Sequence, residues 1–307
     1  MAAFRASLDP ADLLPARLKQ NAVGAVIEGH SLRFPTGGRG KREYHAITRG
    51  WILNEVFRRA DPAGRTMGEF YDEEIRRPLD ADVIIGVREA ELARVVNVKP
   101  LGFLFMFLQS LLPAALGRKI KHHFFQIAAR LLRLLPGLRH STVRGTPPPY
   151  KGMPGFEIFN ERSVSMGETP SAGSKASARG LAKLAAVMAG RGRLAGREVI
   201  PEAGWDAMHG DPVAAFMSFA PTAFTQGGVN RFAAAGPDAG ELERAFNTGR
   251  EGYYGWMGFG GSIFQWHPAH EIGFAFVPTA LHVLDLLNER GKLYQAEVVR
   301  CVERLKR

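Results

Sequence analysis

Cysteine is almost absent from this chain of 307 residues, which contains Cys301 alone. One thiol can form neither an internal disulfide framework nor a cysteine-rich zinc site. The first ten residues lack the apolar run of a secretory signal, so no such signal is expected, and the sequence leaves the compartment open. With 46% hydrophobic residues, the chain has a globular composition and enough length for one large core or two small ones.

Two signatures of a nucleophilic serine are also missing. No lysine of the chain has a serine three positions before it, so the motif Ser-x-x-Lys does not occur. The nucleophile elbow Gly-x-Ser-x-Gly is absent too. Residues 37–42 combine three glycines with Lys41 but lack the spacing of a phosphate-binding loop, and no cofactor is expected.

Acidic residues are missing from one long internal stretch. Residues 92–156 contain no Asp or Glu, whereas ten Lys or Arg residues lie there. The remaining 30 of the 40 Lys and Arg balance the 30 Asp and Glu, so this stretch accounts for the whole net charge of +10. Such a local excess does not indicate a protein-wide nucleic-acid surface, and no nucleic-acid partner is expected.

The same stretch contains two apolar runs, 100–117 and 124–138, separated by a basic turn. Three structures fit this pattern: a helical hairpin or lid buried in the domain, an amphipathic element at a membrane interface, and a membrane-spanning helix. We expect a basic, apolar helical insertion over 99–150. Within it, residues 99–140 are the candidate surface for a membrane partner.

The most informative pattern lies in residues 254–268. Its glycines and small residues allow a backbone edge to approach a ligand closely, and the alternation that follows predicts a strand over 261–266. A second strand is predicted over 272–277, which makes an antiparallel hairpin. The connecting turn contains His267, His270 and Glu271 without a convincing further ligand, so no metal site is expected.

Helical spacing of apolar residues predicts three internal helices. They lie over 44–60, around 67–77, and after Ser177, which is a suitable N-cap. The last thirty residues repeat apolar side chains at helical spacing and predict a terminal helix that covers one face of a sheet.

Three segments together resemble the motifs of a known family. Tyr44-His45-Ala46 and Trp256-Met257-Gly258 are similar to the second and third motifs of the β-lactamase-related serine hydrolases, in the class C and esterase branch of the penicillin-recognising fold. The run 171–192, a small-residue loop before Ala-Arg-Gly-Leu-Ala-Lys, is similar to the family's helix beyond the active-site cleft. The segments follow the family's order, and the resemblance covers about residues 32–304.

The resemblance implies an α/β (α+β) fold, with an antiparallel sheet flanked by helices and an all-helical subdomain. In the family the Ser-x-x-Lys helix lies well before the tyrosine motif, whereas Tyr44 comes early here, so we expect the N-terminal strands and the nucleophile helix to be lacking. Residues 1–98 and 151–307 are then two parts of the β-lactamase-like domain, with 99–150 inserted between them.

The resemblance also assigns roles to site residues. It implies that Tyr44 is the general base or proton shuttle, although the motif lysine that would favour its phenolate is missing. Trp256 replaces the cation that binds a β-lactam carboxylate, which favours an apolar acyl or ester substrate. The backbone N–H of Phe259, directly after Gly258, is the expected oxyanion donor.

Two functions follow from this resemblance. The first is an esterase-like serine hydrolase for a small acyl or ester molecule, here without its nucleophile motif and therefore inactive as given. The second is a non-catalytic homologue that binds an acyl ligand, a membrane surface or a protein partner.

Overall fold

The structure is a computed structural model that describes residues 7–31, 45–129, 131–132, 148–153, 155, 157–217, 220–285 and 287–306. Internal contacts divide the chain into two compact units. Unit 1 comprises Met1–Val98 and Thr142–Leu181, and unit 2 comprises Lys99–Ser141 and Ala182–Arg307.

The described helices are numbered here in chain order. They are α1 Pro15–Lys19, α2 Ala22–Glu28, α3 Thr48–Ala60, α4 Met67–Tyr71, α5 Arg77–Leu79, α6 Phe103–Leu111, α7 Arg162–Met166, α8 Ala178–Ala189, α9 Glu202–His209, α10 Glu241–Asn247 and α11 Glu289–Leu305. A π-helical segment, Asp72–Arg76, joins α4 to α5, so the helix predicted around 67–77 is confirmed. Residues 124–129 are also helical.

The described strands form one large sheet and three short pairs. The strands are β1 Val83–Ile84, β2 Lys99–Pro100, β3 Lys175–Ala176, β4 Arg193–Leu194, β5 Arg197–Glu198, β6 Val213–Met217, β7 Ala220–Phe224, β8 Asn230–Arg231, β9 Tyr254–Met257, β10 Ile263–His267, β11 Ile272–Phe276 and β12 Ala280–Leu281. The six-stranded sheet has the order β11-β10-β9-β8-β7-β6, antiparallel throughout. The short pairs are β1–β3, β4–β5 and the parallel pair β2–β12.

Unit 1 is built around α3 and a core of buried apolar side chains. That core consists of Leu8, Leu13, Leu18, Val23, Trp51, Tyr150, Ile158 and Val164. Trp51 Nε1 donates to Thr169 Oγ1 at 3.0 Å, and the Tyr150 hydroxyl lies 3.0 Å from the same oxygen. The helix predicted over 44–60 begins four residues later, at Thr48, whose hydroxyl is hydrogen-bonded to His45 Nδ1.

A carboxyl group is buried in unit 1 beside α4. Glu168 is almost fully buried and accepts hydrogen bonds from Thr66 Oγ1 at 2.6 Å, Asn54 Nδ2 at 2.8 Å and Gly68 N at 3.1 Å. Burial raises the pKa of this carboxyl, while its three donors act in the opposite direction. The group therefore holds its proton more strongly in the folded chain than in an unfolded one.

In unit 2, the large sheet is covered by helices on both faces. Because successive strand residues point to opposite faces, Gln265 and Trp266 face different helices. Gln265 Oε1 accepts from Gln295 Nε2 of α11 at 2.6 Å, whereas Trp266 packs with Met188 of α8 and Trp205 of α9. The expected antiparallel sheet flanked by helices is confirmed.

Several local predictions are confirmed. The predicted antiparallel hairpin is present, and it pairs Ile263 with Phe276 and His267 with Ile272. The Ser177 hydroxyl accepts a hydrogen bond from Gly180 N at 3.1 Å and caps α8. The terminal helix α11 contributes Val298, Val299 and Val302 to the core on one side of the sheet.

The described part of the basic insertion is largely exposed. Helix α6 buries Met106 and Ser110, one turn apart, and most of its other apolar side chains face solvent. A hairpin buried in the core therefore does not describe these residues. Within the described ranges, no helix combines the length and the apolar composition needed to cross a membrane.

Candidate active site

The glycine-rich run forms the tight end of the β9–β10 hairpin in unit 2. Met257 pairs with Ile263, and the intervening loop comprises residues 258–262. Gly258 N donates to Ser262 O at 2.7 Å, which closes the loop. A short, constrained turn thus follows directly on Trp256-Met257-Gly258, the segment that resembles the family's third motif.

Two positions in this loop require glycine. Gly260 has φ +81° and Gly261 has φ +128°, conformations that side chains with a Cβ rarely adopt. A Cβ on Gly260 would also lie 2.7 Å from the Cβ of Leu281. The small residues therefore let the loop pack closely on the neighbouring chain.

Side chains at the start of α11 hold the loop through hydrogen bonds to its carbonyl oxygens, and we call these contacts the clamp. Asn288 Nδ2 donates to Gly258 O at 2.7 Å and to Ser262 O at 2.8 Å. Arg290 Nη2 donates to Gly260 O at 2.8 Å, and His282 N donates to the same oxygen at 2.9 Å. With its carbonyls held in this way, the loop has a fixed shape.

A buried guanidinium supports the clamp. Arg250 is fully buried and donates to Phe246 O at 2.8 Å, Leu287 O at 2.7 Å and Asn288 O at 3.3 Å. Burial lowers the pKa of Arg250 to about 10, so the side chain remains charged at neutral pH. Its charge-assisted bonds fix the backbone that carries Asn288.

A buried histidine supports the opposite face of the hairpin. His209 Nδ1 is hydrogen-bonded to Trp205 O at 2.7 Å, so this nitrogen carries the proton, and Nε2 accepts from Trp266 Nε1 at 2.9 Å. The imidazole also stacks on Trp205, with ring centroids 3.7 Å apart. Burial lowers the pKa of His209 and keeps the ring neutral.

The predicted site residues of this segment lie together on the hairpin. Trp256 is half-buried, and its ring lies 4.8 Å from that of Phe224 and 6.2 Å from that of Phe246. Gly258 begins the loop, and Phe259 next to it has an exposed side chain. The ring contacts show that Trp256 contributes to packing whatever else it does.

The remaining candidate residues of the sequence analysis are Tyr44 and the two histidines of the turn after β10. Tyr44 is outside the described residues, so its role as general base or proton shuttle stays a prediction. His267 and His270, considered above for metal binding, form a turn in which His270 N donates to His267 Nδ1 at 3.2 Å. Throughout the part of the chain that the structure describes, no group of three or more His, Cys, Asp or Glu side chains is arranged to hold a metal ion.

Sequence reasoning did not find the supporting residues Asn288, Arg290, Arg250 and His209. An Asn before a helix is a recognisable N-cap signal, and Asn288 precedes α11 directly. Its side chain, however, does not cap the helix and reaches the loop 26 to 30 residues earlier. No local pattern specifies such a contact.

Comparison with protein families gives one match that covers most of the chain. The family model described as Beta-lactamase matches residues 2–296 of the chain. No curated protein matches the chain with significance.

Solved structures with a similar fold agree with this match. A penicillin-binding protein homologue from Caulobacter crescentus is 23% identical, with a TM-score of 0.64 over 96% of this chain and 67% of that one. A family VIII carboxylesterase is 18% identical, with a TM-score of 0.63 over 96% of this chain and 66% of that one. EstA from Arthrobacter nitroguajacolicus Rue61a is 18% identical, with a TM-score of 0.58 over 95% and 72%. The chain thus spans about two thirds of the length of the first two, and at these identities the likeness shows the fold.

Proposed function

Because the chain belongs to the β-lactamase family, we propose that it serves the acyl-transfer chemistry of the esterase-like branch, with a small acyl or ester molecule as ligand. The observation that carries this proposal is the clamped 258–262 loop with Trp256 before it and Phe259 at its exposed turn. The carboxylesterase among the similar structures supports the same reaction class.

The loop suits the part of the reaction in which charge develops on a carbonyl oxygen. A backbone N–H on a fixed loop stabilises an oxyanion without reorganising during the reaction, and we assign this role to the N–H of Phe259. Trp256 stands where a cation would be needed to bind a β-lactam carboxylate. An apolar acyl group is therefore the preferred ligand at this position.

The family resemblance assigns Tyr44 the role of proton shuttle between nucleophile and leaving group. Its phenol has an ordinary pKa near 10, so it needs a neighbouring positive charge to act near neutral pH. The 307 residues contain no Ser-x-x-Lys motif to supply that charge or the nucleophile. We therefore propose that this chain alone binds the ligand without turning it over.

Ligand binding tests the site directly. Titration of the purified chain with a non-hydrolysable acyl phosphonate ester should change tryptophan fluorescence, and Trp256→Ala should weaken the affinity by about tenfold, equivalent to about 1.4 kcal/mol. Tyr294→Ala, which removes an exposed aromatic ring from α11, is the matched control and should leave the affinity unchanged. Equal affinities of the wild type and Trp256→Ala would place the ligand elsewhere.

A non-catalytic homologue is the second candidate, favoured by the absence of serine at the third position before every lysine. A fluorophosphonate probe separates the two functions. We expect no labelling of the purified 307-residue chain. Labelling of the protein from its natural source would identify a hydrolase that supplies its serine from outside these residues, whereas an unlabelled natural protein that binds the ligand would be a binding protein.

A further inference from the structure

An apolar surface of unit 2 has no role in the proposed acyl site. It consists of Phe103, Leu104, Phe107 and Leu108 on α6 together with Phe124 and Phe125, and we call it the aromatic surface. Phe103, Leu104 and Phe125 are 78%, 68% and 73% exposed. Helices that are apolar on all sides are normally buried, so this exposure requires an explanation.

The aromatic surface is continuous across the intervening loop. The rings of Phe103 and Phe107 lie 6.3 Å apart, those of Phe107 and Phe124 6.1 Å, and those of Phe124 and Phe125 5.6 Å. These contacts join α6 to residues 124–129. The exposed side chains therefore form one continuous patch. Single exposed apolar residues are common on protein surfaces, whereas a continuous patch indicates a binding surface.

The loop that joins the two parts is held in place. Arg118 donates to Ile120 O at 3.0 Å and to Lys121 O at 2.8 Å, which closes the basic turn. Lys121 Nζ donates to the buried Glu289 at 2.9 Å, and His122 is hydrogen-bonded to the same carboxylate. The aromatic surface is thus anchored to the N-terminus of α11.

Only cations accompany the aromatic surface in sequence. No Asp or Glu occurs between residues 92 and 156, and Lys119 in the turn is exposed. A partner that accepts large apolar side chains and carries negative charge therefore complements this face. The boundary between headgroups and acyl chains of an anionic bilayer has both properties.

We propose that the aromatic surface binds the interface of anionic membranes. Phe103, Leu104 and Phe125 enter the acyl boundary, while the basic turn meets the lipid headgroups. A second copy of the chain fits this face less well, since it would bring two stretches of the same charge together.

Vesicle co-sedimentation of the full 307-residue chain tests the proposal. The chain should bind vesicles of phosphatidylcholine and phosphatidylserine in equal amounts more tightly than vesicles of phosphatidylcholine alone. Binding should weaken as NaCl rises from about 0.1 M to about 1 M, since the screening length falls from about 10 Å to about 3 Å. The triple variant Phe103→Gln, Leu104→Gln, Phe125→Gln should lose at least about tenfold in partitioning, because three large apolar side chains no longer leave water.

A matched triple variant controls for general loss of exposed apolar area. Leu293→Gln, Tyr294→Gln and Leu305→Gln change exposed residues of α11 in the same unit and should bind like the wild type. Circular dichroism melts of both variants confirm that they are folded. Equal binding to both vesicle types, binding to neither, or equal loss in both variants would overturn the proposal. Self-association that disappears in the aromatic-surface variant, without vesicle binding, would assign the face to a second copy instead.

Discussion

The side-chain amide of Asn288 donates to the carbonyl oxygen of Gly258 at 2.7 Å, across 30 residues of sequence. The same nitrogen lies 2.8 Å from Ser262 O, so one amide connects both ends of the 258–262 loop to the start of α11. The shape of the candidate oxyanion loop consequently depends on the docking of a helix as well as on its own glycines.

We expect Asn288→Gly to lower the free energy of unfolding by about 1–3 kcal/mol, because the Gly258 carbonyl loses a buried donor. Glycine keeps the backbone conformation, which has φ +50° at this position. Asn288→Asp, although similar in shape, should cost more, since a carboxylate oxygen would face two carbonyl oxygens. Urea denaturation ranks the variants, and an Asp variant as stable as the wild type would contradict the clamp.

Gly260→Ala should destabilise the chain by about 1–3 kcal/mol, the usual cost of a strained backbone position. The added methyl would also lie 2.7 Å from the Cβ of Leu281, an atom that alanine retains, so the double variant with Leu281→Ala should not recover the stability of the wild type. Gly236→Ala is the control, because its Cβ would have open space and its φ is not positive. Thermal melts that show equal losses for Gly236→Ala and Gly260→Ala would refute this explanation.

Acidification should weaken the packing behind the hairpin through His209. The pKa of His209 is lowered in the folded chain from an ordinary value of 6.5. The neutral imidazole therefore contributes fully to the free energy of unfolding above pH 6.5, and this contribution is lost as the pH falls below that value. His209→Phe keeps a ring on Trp205 but removes the acceptor for Trp266. The variant should be less stable than the wild type at neutral pH. On acidification its free energy of unfolding should fall by less than that of the wild type, as measured by urea unfolding at a series of pH values. An unchanged pH dependence in the variant would exclude this role.

Glu168 should produce the opposite pH dependence in unit 1. The pKa of Glu168 is raised from 4.5 in the folded chain. The protonated carboxyl therefore contributes fully to the free energy of unfolding below pH 4.5, and this contribution is lost as the pH rises towards the raised pKa. Glu168→Gln cannot ionise, and its stability relative to the wild type should therefore increase with pH over this window. Glu73→Gln, at an exposed carboxylate, is the control. A constant difference between Glu168→Gln and the wild type would show that Glu168 does not titrate there.

Periodic segments were predictable from the sequence because their signals are local. Alternation after Gly261 fixed the β10–β11 hairpin, a capping serine at 177 fixed the start of α8, and apolar spacing fixed α11. Helix α3 begins at Thr48, four residues after the predicted start at residue 44, since the apolar pattern contains no signal for where the helix begins. Strands β6 to β8 have no comparable alternation and were not predicted.

The supporting residues of the site could not be predicted, because each depends on partners distant in sequence. Arg250 looks like an ordinary surface arginine until α10 and residues 287–288 surround it. Glu168 becomes a protonatable buried group only when Thr66, Asn54 and Gly68 come together around it. The role of Tyr44 stays a prediction, since that residue is outside the described part of the chain.

The large sheet has the same order in space as in sequence, from β6 at one edge to β11 at the other. Each strand therefore pairs with one that the chain has only just completed, and no distant segment has to be brought back before the next pair forms. Closing the sheet against α11 is a separate event, since that helix follows every strand. We expect a truncated chain ending near residue 285 to expose the apolar side of a preassembled sheet, and so to aggregate through that side.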